Sequence, residues 1–282
     1  DASNTVKSLT REDESSLRPA AAAERHRLNM LDRYGHKKLQ CEEYLARLCM
    51  QSRVGGSDLA AGASFAPSLP CCLTLRLADV IGPRDNTDRL WHYVIWFRCA
   101  GAIGIPPRAK LGMGDQKMSF TFSEDVGALV SEFVMRLRGT NSTNLSEGYQ
   151  PFNIAVDHTP TTNEFLFEVA LAMGLNFSAD ADVDGKGAAG TGAATALTPT
   201  TSFYPSTNRG PIDTSSSRRA FPWWNQSTLR VAITASVSFL EAAMCGNWNR
   251  TDCEDVVKSL AEDLGITEDR AKRRAMVKSL RA

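Results

Sequence analysis

The chain has 282 residues, 43% of them hydrophobic and 23% charged, with 32 basic side chains against 32 acidic ones. This is the composition of a soluble globular protein of one large domain or two moderate ones. Zero net charge gives no global pull toward nucleic acid or an anionic membrane. The apolar runs are broken by charge or proline well short of the roughly 18 residues that a transmembrane helix requires.

The opening stretch DASNTVKSLTRED has no initiator methionine and no charged segment followed by an apolar core. It reads as a processed, trimmed or partial product without a signal peptide. Residues 7–30 are polar, alanine-rich and charged, and are expected to form a long surface loop with one helical turn. From Tyr34 to Gln51 the pattern is helical: Leu39, Leu45, Leu48 and Cys49 recur near the helical period, with Glu42 and Glu43 on the wet side. The segment RVGGSDLAAGASFAPSLP then breaks the helix with glycine and proline.

CCLTLRLADVIG, residues 71–82, is short and mostly apolar and ends at Gly82-Pro83. It predicts a strand buried on both faces, as in a parallel sheet covered by helices. A helix follows through TDRLWHYVIWFRCAG, then a strand at KMSFTF and a helix over SEDVGALVSEFVMRL with Ser123 as N-cap. PFNIAV predicts another strand. In TPTTNEFLFEVALAMG, Thr161 and Glu164 have the spacing of a capping box, and Gly174 is the natural stop. From Thr251 onward the chain reads as one or two exposed charged helices, with RAKRRAMVK as a solvated face. Helix, strand and helix at this spacing belong to an α/β fold.

Seven cysteines, at 41, 49, 71, 72, 99, 245 and 253, include no C-x-x-C pair, and the odd count does not suggest a disulfide framework. They are expected to be reduced packing residues of an intracellular protein. His26, His36, His92 and His158 are scattered, so no metal site is expected. The five N-x-S/T tripeptides, Asn141 and Asn249 among them, read as chance matches.

GKGAAG, residues 185–190, matches G-x-G-x-x-G. That loop cradles pyrophosphate when a strand precedes it and a helix follows. Here acidic, polar sequence precedes it and a glycine-rich, proline-broken stretch follows, so it reads as part of a flexible insertion at 178–200.

Tyr34 and Lys38 present a more useful spacing. Four residues apart on a helix, they share one face. An ammonium beside a phenol favours phenolate, and a tyrosine so tuned can move a proton while hydride passes to or from a cofactor. The same two residues would serve equally as ordinary groups on a wet helix face.

The flanking segments decide the reading. RYGHKKLQCEEYL, LRLADVIGPRDNTDR, FSEDVGALV, FNIAVDHTPTTNEFLFEVALAMG and RGPIDTSSSRRAF occur in this order. Together, over residues 30–245, they resemble the NAD(P)-dependent epimerase/dehydratase family, the extended short-chain dehydrogenases. The resemblance implies an α/β chain holding the C-terminal part of a doubly wound parallel, Rossmann-type sheet plus a small mixed α/β substrate domain. The expected units are 1–105 for the remaining nucleotide-binding part, 106–250 for the substrate-binding region, and 251–282 for a charged helical tail.

The resemblance also implies roles. Tyr34 falls on the family's catalytic tyrosine and Lys38 on its partner lysine, which also hydrogen-bonds the nicotinamide ribose. Ser3, in ASNTV, would be the catalytic hydroxyl. Gly82, Pro83 and Arg84 would border the cofactor, NAD or NADP, with Arg84 and Arg209 approaching substrate. Asp125 would be structural, and Asp213 would begin the last helical unit. The implied substrate is a small molecule, a sugar or nucleotide sugar. The expected setting is intracellular, cytoplasmic before organellar, without membrane attachment, as a homodimer or part of a larger complex.

One departure is large: the family's phosphate-loop half is expected upstream of Ser3, and GKGAAG falls in the wrong half to replace it. The insertion and FPWWNQ look loosely constrained. The alternative reading is therefore a non-catalytic structural or scaffold subunit. RNA binding, implied by a related plastid branch, is disfavoured by the neutral charge and the absence of a basic aromatic stripe.

Overall fold

In the computed structural model, the described residues are 22–54, 71–104 apart from 86 and 88, 116–138, 148–175, 210–244, 254, 257–258, 261–262 and 270–281. Within the stretch expected to be a loop with one helical turn, helix α1 spans Ala22–Leu31, because alanine and long unbranched side chains have the highest helix propensity; residues 7–21 lie outside the described residues. Helix α2, Arg33–Val54, follows after one residue. Asp32 separates the two helices, and its Oδ1 accepts the Gly35 amide at 2.8 Å. It thereby satisfies one of the orphan donors of the new helix.

The stretch expected to be one strand is two. Strand β1, Cys71–Leu77, pairs in parallel with β4, Gly148–Ile154. Strand β2, Asp79–Ile81, pairs in parallel with β3, Phe120–Phe122. The change of partner happens at Ala78, whose amide donates to the Ile154 carbonyl at 3.1 Å and to Thr121 Oγ1 at 3.1 Å. The Thr121 hydroxyl itself donates to the Ile154 carbonyl at 2.7 Å, stitching the two pairs together. The described residues therefore form a mixed α/β structure with parallel strands in two two-stranded sheets, in keeping with the expected fold class.

β1 is only half-buried, with both ends exposed, rather than buried on both faces. Its leucines and its polar residues alternate, which is the mark of a strand with two different faces. Leu73 and Leu75 pack on Phe152, Ile154, Phe221, Trp224 and Leu129 in one core. Cys72, Thr74 and Arg76 occupy the opposite face, beneath α2.

The larger core is built around α3, Arg89–Ile103, which buries eight of its residues, Tyr93, Trp96 and Phe97 among them. A helix apolar on all sides must be enclosed. Against it pack α5, Thr162–Ala172, α7, Leu229–Met244, and α8, Arg270–Arg281. Phe165 stacks on Phe120 at 5.0 Å and meets Tyr93 edge-on at 5.1 Å. The C-terminal helix is not simply solvated: Met276 and Leu280, four apart, are buried in this core beneath its basic face.

α5 forms as expected. Thr161 Oγ1 accepts the Glu164 amide while Glu164 Oε2 accepts the Thr161 amide, a complete capping box. At its end Leu175 N–H donates to Ala170 O and Gly174 N–H to Leu171 O, with Gly174 at φ 67°. This is a Schellman stop. α4, Ser123–Arg138, begins at Ser123 itself, one residue earlier than expected.

FPWWNQ is firmly held rather than loose. Phe221 and Trp224 are buried, and Trp224 Nε1 donates to the Asp125 carbonyl at 3.0 Å. Asp125 has the structural role expected of it: its carboxylate accepts the Ser227 amide and hydroxyl at 2.9 and 2.8 Å. Just before this stretch, α6, Ser215–Ala220, follows Asp213. Cys49 and Cys99 are buried packing residues, whereas Cys41 and Cys71 are exposed, and all five described cysteines are free thiols.

Candidate functional site

The structure brings Tyr34 and Lys38 together. Lys38 Nζ lies 4.4 Å from the centroid of the Tyr34 ring, a cation–π contact across one helical turn. Tyr34 is 71% exposed, so its phenol is reachable from solvent.

The helix runs antiparallel to β1. Glu42 bonds Arg76, and seven residues later Cys49 lies against Cys72. Counting back from Glu42 at 1.5 Å per residue places Tyr34 about 12 Å further along, past the end of β1. Tyr34 and Lys38 are thus carried at the C-terminal edge of the parallel strands, the edge at which open α/β sheets bind ligands.

Gly82, Pro83 and Arg84 directly follow β2, at the C-terminal end of the β2–β3 pair. Asp85 N–H donates to Gly82 O at 3.2 Å, closing a four-residue turn in which Arg84 has φ 65°. Proline at the second position and a left-handed third residue define a type II turn, which normally places glycine or asparagine where Arg84 stands. Gly82 is wedged against the start of α4, where a Cβ would meet Ser123 Oγ at 2.0 Å. Asp85 does not pair with Arg84: its carboxylate accepts from the Thr87 amide and hydroxyl, both at 2.9 Å. Among the described residues, no hydrogen bond or ion pair joins Tyr34 or Lys38 to this turn. Ser3, Arg209 and GKGAAG lie outside the described residues.

Glu42 is not on the wet side of α2. Its carboxylate faces the sheet and accepts Arg76 Nε at 3.1 and 3.0 Å, Arg76 Nη2 at 2.5 Å and Tyr149 Oη at 2.7 Å. Burial raises the Glu42 pKa, but the hydrogen bonds from Arg76 and Tyr149 and the Arg76 charge outweigh it, leaving the carboxyl below its ordinary value. Burial, with the neighbouring Glu42 carboxylate, pushes the Tyr149 phenol up to about 12. Burial and the adjacent Cys49 push the Cys72 thiol up. No signal in the sequence distinguishes Glu42 from Glu43, since the partners of Glu42 are remote.

A separate open cleft of about 950 Å³ lies at the C-terminal end of β4, between α5 and the start of α7. Sequence reasoning missed it. Arg218 crosses it, pairing with Asp157 through two guanidinium nitrogens, donating to Gln226 Oε1 at 2.5 Å and to the Trp224 carbonyl at 3.3 Å. Gln226 in turn donates to Ala155 O and accepts the Asp157 amide. On the far wall Arg230 holds Glu168 at 2.9 and 3.0 Å. Both guanidinium groups are already matched by carboxylates. His158 is a largely exposed loop residue with Nε2 3.8 Å from Glu164. Tyr34, Lys38 and the Gly82–Arg84 turn do not line this cleft. Among the described residues no cluster of three or more His, Cys, Asp or Glu has the arrangement of a metal site, and no helix is long and apolar enough to cross a membrane.

No family model and no curated protein matches the chain. Solved structures do. A UDP-galactose 4-epimerase is similar at 14% identity and a TM-score of 0.47, over 85% of this chain and 58% of that one. The Bordetella bronchiseptica enzyme WbmH, solved with NAD+, is similar at 18% identity and 0.38, over 60% and 45%. A UDP-glucuronic acid 4-epimerase from Bacillus cereus, solved with NAD, is similar at 16% identity and 0.39, over 61% and 45%. The chain spans about half the length of these structures.

Proposed function

We propose that the protein carrying this chain is an NAD(P)-dependent epimerase/dehydratase or reductase that acts on a secondary alcohol of a sugar or nucleotide sugar. The reading rests on the sequence segments that resemble that family. The observation that supports it best is the Tyr34–Lys38 contact, carried on one helix at the C-terminal edge of parallel strands.

The residues present fit one end of a dinucleotide. An exposed phenol and an ammonium one turn apart offer the two donors that a nicotinamide ribose would take. The Gly82-Pro83-Arg84 turn, backed against Ser123, would offer mostly backbone to the cofactor. No glycine-rich strand-to-helix turn occurs among the described residues, so the pyrophosphate end has no assigned cradle here. A nicotinamide bound at this edge supplies or accepts hydride.

In this reading Tyr34 Oη takes the substrate hydroxyl proton and returns it. Lys38 lends positive charge to the phenol and holds ribose, and Ser3 positions the substrate hydroxyl. Gly82, Pro83 and Arg84 border the cofactor, while Arg84 and Arg209 meet the substrate.

The experiment is a turnover assay of the intact protein purified from its source, with NAD and NADP against a panel of nucleotide sugars, in wild type and Tyr34→Phe. General acid–base groups contribute on the order of 10²–10⁴-fold, so Tyr34→Phe should lose turnover by that much while its cofactor dissociation constant rises by no more than about tenfold, the loss of one hydrogen bond. Unchanged turnover in Tyr34→Phe removes the catalytic assignment.

A further inference from the structure

We infer that Glu42 is a positioning residue for Lys38 and Tyr34, acting through α2 by way of its clamp on Arg76 and Tyr149. The inference rests on the function proposed above and deepens it.

The face of β1 that meets α2 carries Cys72, Thr74 and Arg76, while Leu73 and Leu75 pack into the core on the other side. Apolar burial alone therefore does not fix where α2 sits, because hydrophobic contact is non-directional and tolerates sliding. The Glu42 carboxylate is directional. It receives Arg76 from β1 and Tyr149 from β4, so one side chain reads the position of both strands. Both members of the ion pair are largely buried, at 14% and 16% side-chain exposure, which limits screening by solvent.

Glu42 stands one turn beyond Lys38, and Lys38 one turn beyond Tyr34. A shift of the helix at Glu42 is transmitted to both through a continuous hydrogen-bonded helix. Cys49 against Cys72 supplies a second contact further along, but it lies at the opposite end from Tyr34. The Glu42 clamp is four residues from Lys38 and eight from Tyr34, nearer to the pair than Cys49 is.

The test uses the intact protein from its source, with NADH and NADPH as fluorescent probes, in a double-mutant cycle. Lys38→Ala should weaken binding of the preferred probe about tenfold. Glu42→Gln should weaken it by a comparable factor, and the double variant should be weakened by clearly less than the product of the two single losses, because part of the Glu42 effect passes through Lys38. A merely structural role predicts additive losses instead, and additive losses overturn the inference. So does full affinity in Glu42→Gln. If Glu42→Gln does not fold, Tyr149→Phe removes one clamp bond without stranding a buried charge. It should then show a smaller loss, about twofold to fivefold, with the same non-additivity toward Lys38→Ala, and wild-type affinity in Tyr149→Phe overturns the inference. A wild-type protein that binds neither probe overturns the parent reading and this inference with it. Binding lost in Lys38→Ala but intact in Glu42→Gln overturns this inference alone.

Discussion

Replacing Arg84 with glycine should stabilise the protein, although it removes a large side chain. Arg84 has φ 65° at the third position of the turn closed by Asp85 N–H and Gly82 O. A side chain with a Cβ costs about 1–2 kcal/mol in the left-handed region. Glycine removes that cost but loses about 0.5–1 kcal/mol more conformational entropy on folding. The difference leaves a net gain of roughly 0.5–1 kcal/mol. At about 2–4 °C per kcal/mol for a chain of this size, Tm rises by about 1–4 °C. The control is Arg84→Ala, which keeps a Cβ in the same conformation and should stay within about 0.5 kcal/mol of wild type. Calorimetry and urea unfolding should agree on the order Gly above Ala and Arg. If Arg84→Gly is no more stable than Arg84→Ala, the turn does not store strain, and the case for a functional reason to keep arginine there falls with it.

Gly82→Ala should cost about 1–3 kcal/mol by overpacking, because its Cβ would lie 2.0 Å from Ser123 Oγ. Adding Ser123→Gly should recover part of that loss, the remainder being backbone strain at φ 159°, and a strictly additive double variant in urea unfolding would contradict the contact. Trp224→Phe removes the hydrogen bond that Trp224 Nε1 donates to the Asp125 carbonyl, at a cost of about 0.5–1.5 kcal/mol, read as a lower urea midpoint. The Glu42 cluster should give stability a two-sided pH dependence. The Glu42 pKa is lowered on folding from 4.5, so its contribution is present above pH 4.5 and is lost as pH falls through the folded value. The Tyr149 pKa is raised from 10.0 to about 12, so its contribution is present below pH 10 and is lost as pH rises toward 12. Glu42→Gln should flatten the acid limb of a plot of stability against pH, and an unchanged limb would show that the ion pair is not coupled to folding.

What could be read from the sequence was whatever is encoded locally. Thr161, Glu164 and Gly174 specify the start and stop of α5 within its own few residues. α3 announces its burial because it is apolar on every side. Tyr34 and Lys38 meet because four residues make one turn. The misreadings fall where the deciding partner is distant. The strand at 71–82 divides at Ala78 because Thr121 and Ile154 offer it two acceptors, and neither is near in sequence. Glu42 looks like any acid on a helix until Arg76 and Tyr149 arrive from two strands. FPWWNQ is fixed by Asp125, Ala155 and Asp157, although three aromatics in four residues are seldom left in water and were a usable signal. In the last helix the i, i+4 pair Met276 and Leu280 was visible, but six basic residues around it drew attention to the wrong face.

The parallel pairing of β1 with β4 has a kinetic consequence. Cys71 sits beside Gly148 and Leu77 beside Ile154, with α3, β3 and α4 threaded between them in the chain. Such pairing has high contact order, so the entropy of closing a long loop is lost before the contact repays it. On a ribosome adding 5–20 residues per second, β1 waits on the order of ten seconds for its partner to be made. During that interval Leu73 and Leu75 have no core, the Arg76 end of the clamp on α2 is present without Tyr149, and the open strand edge can pair with another chain. Yield at high expression should therefore depend on chaperone supply and on the temperature of synthesis more than the stability of the finished fold would suggest.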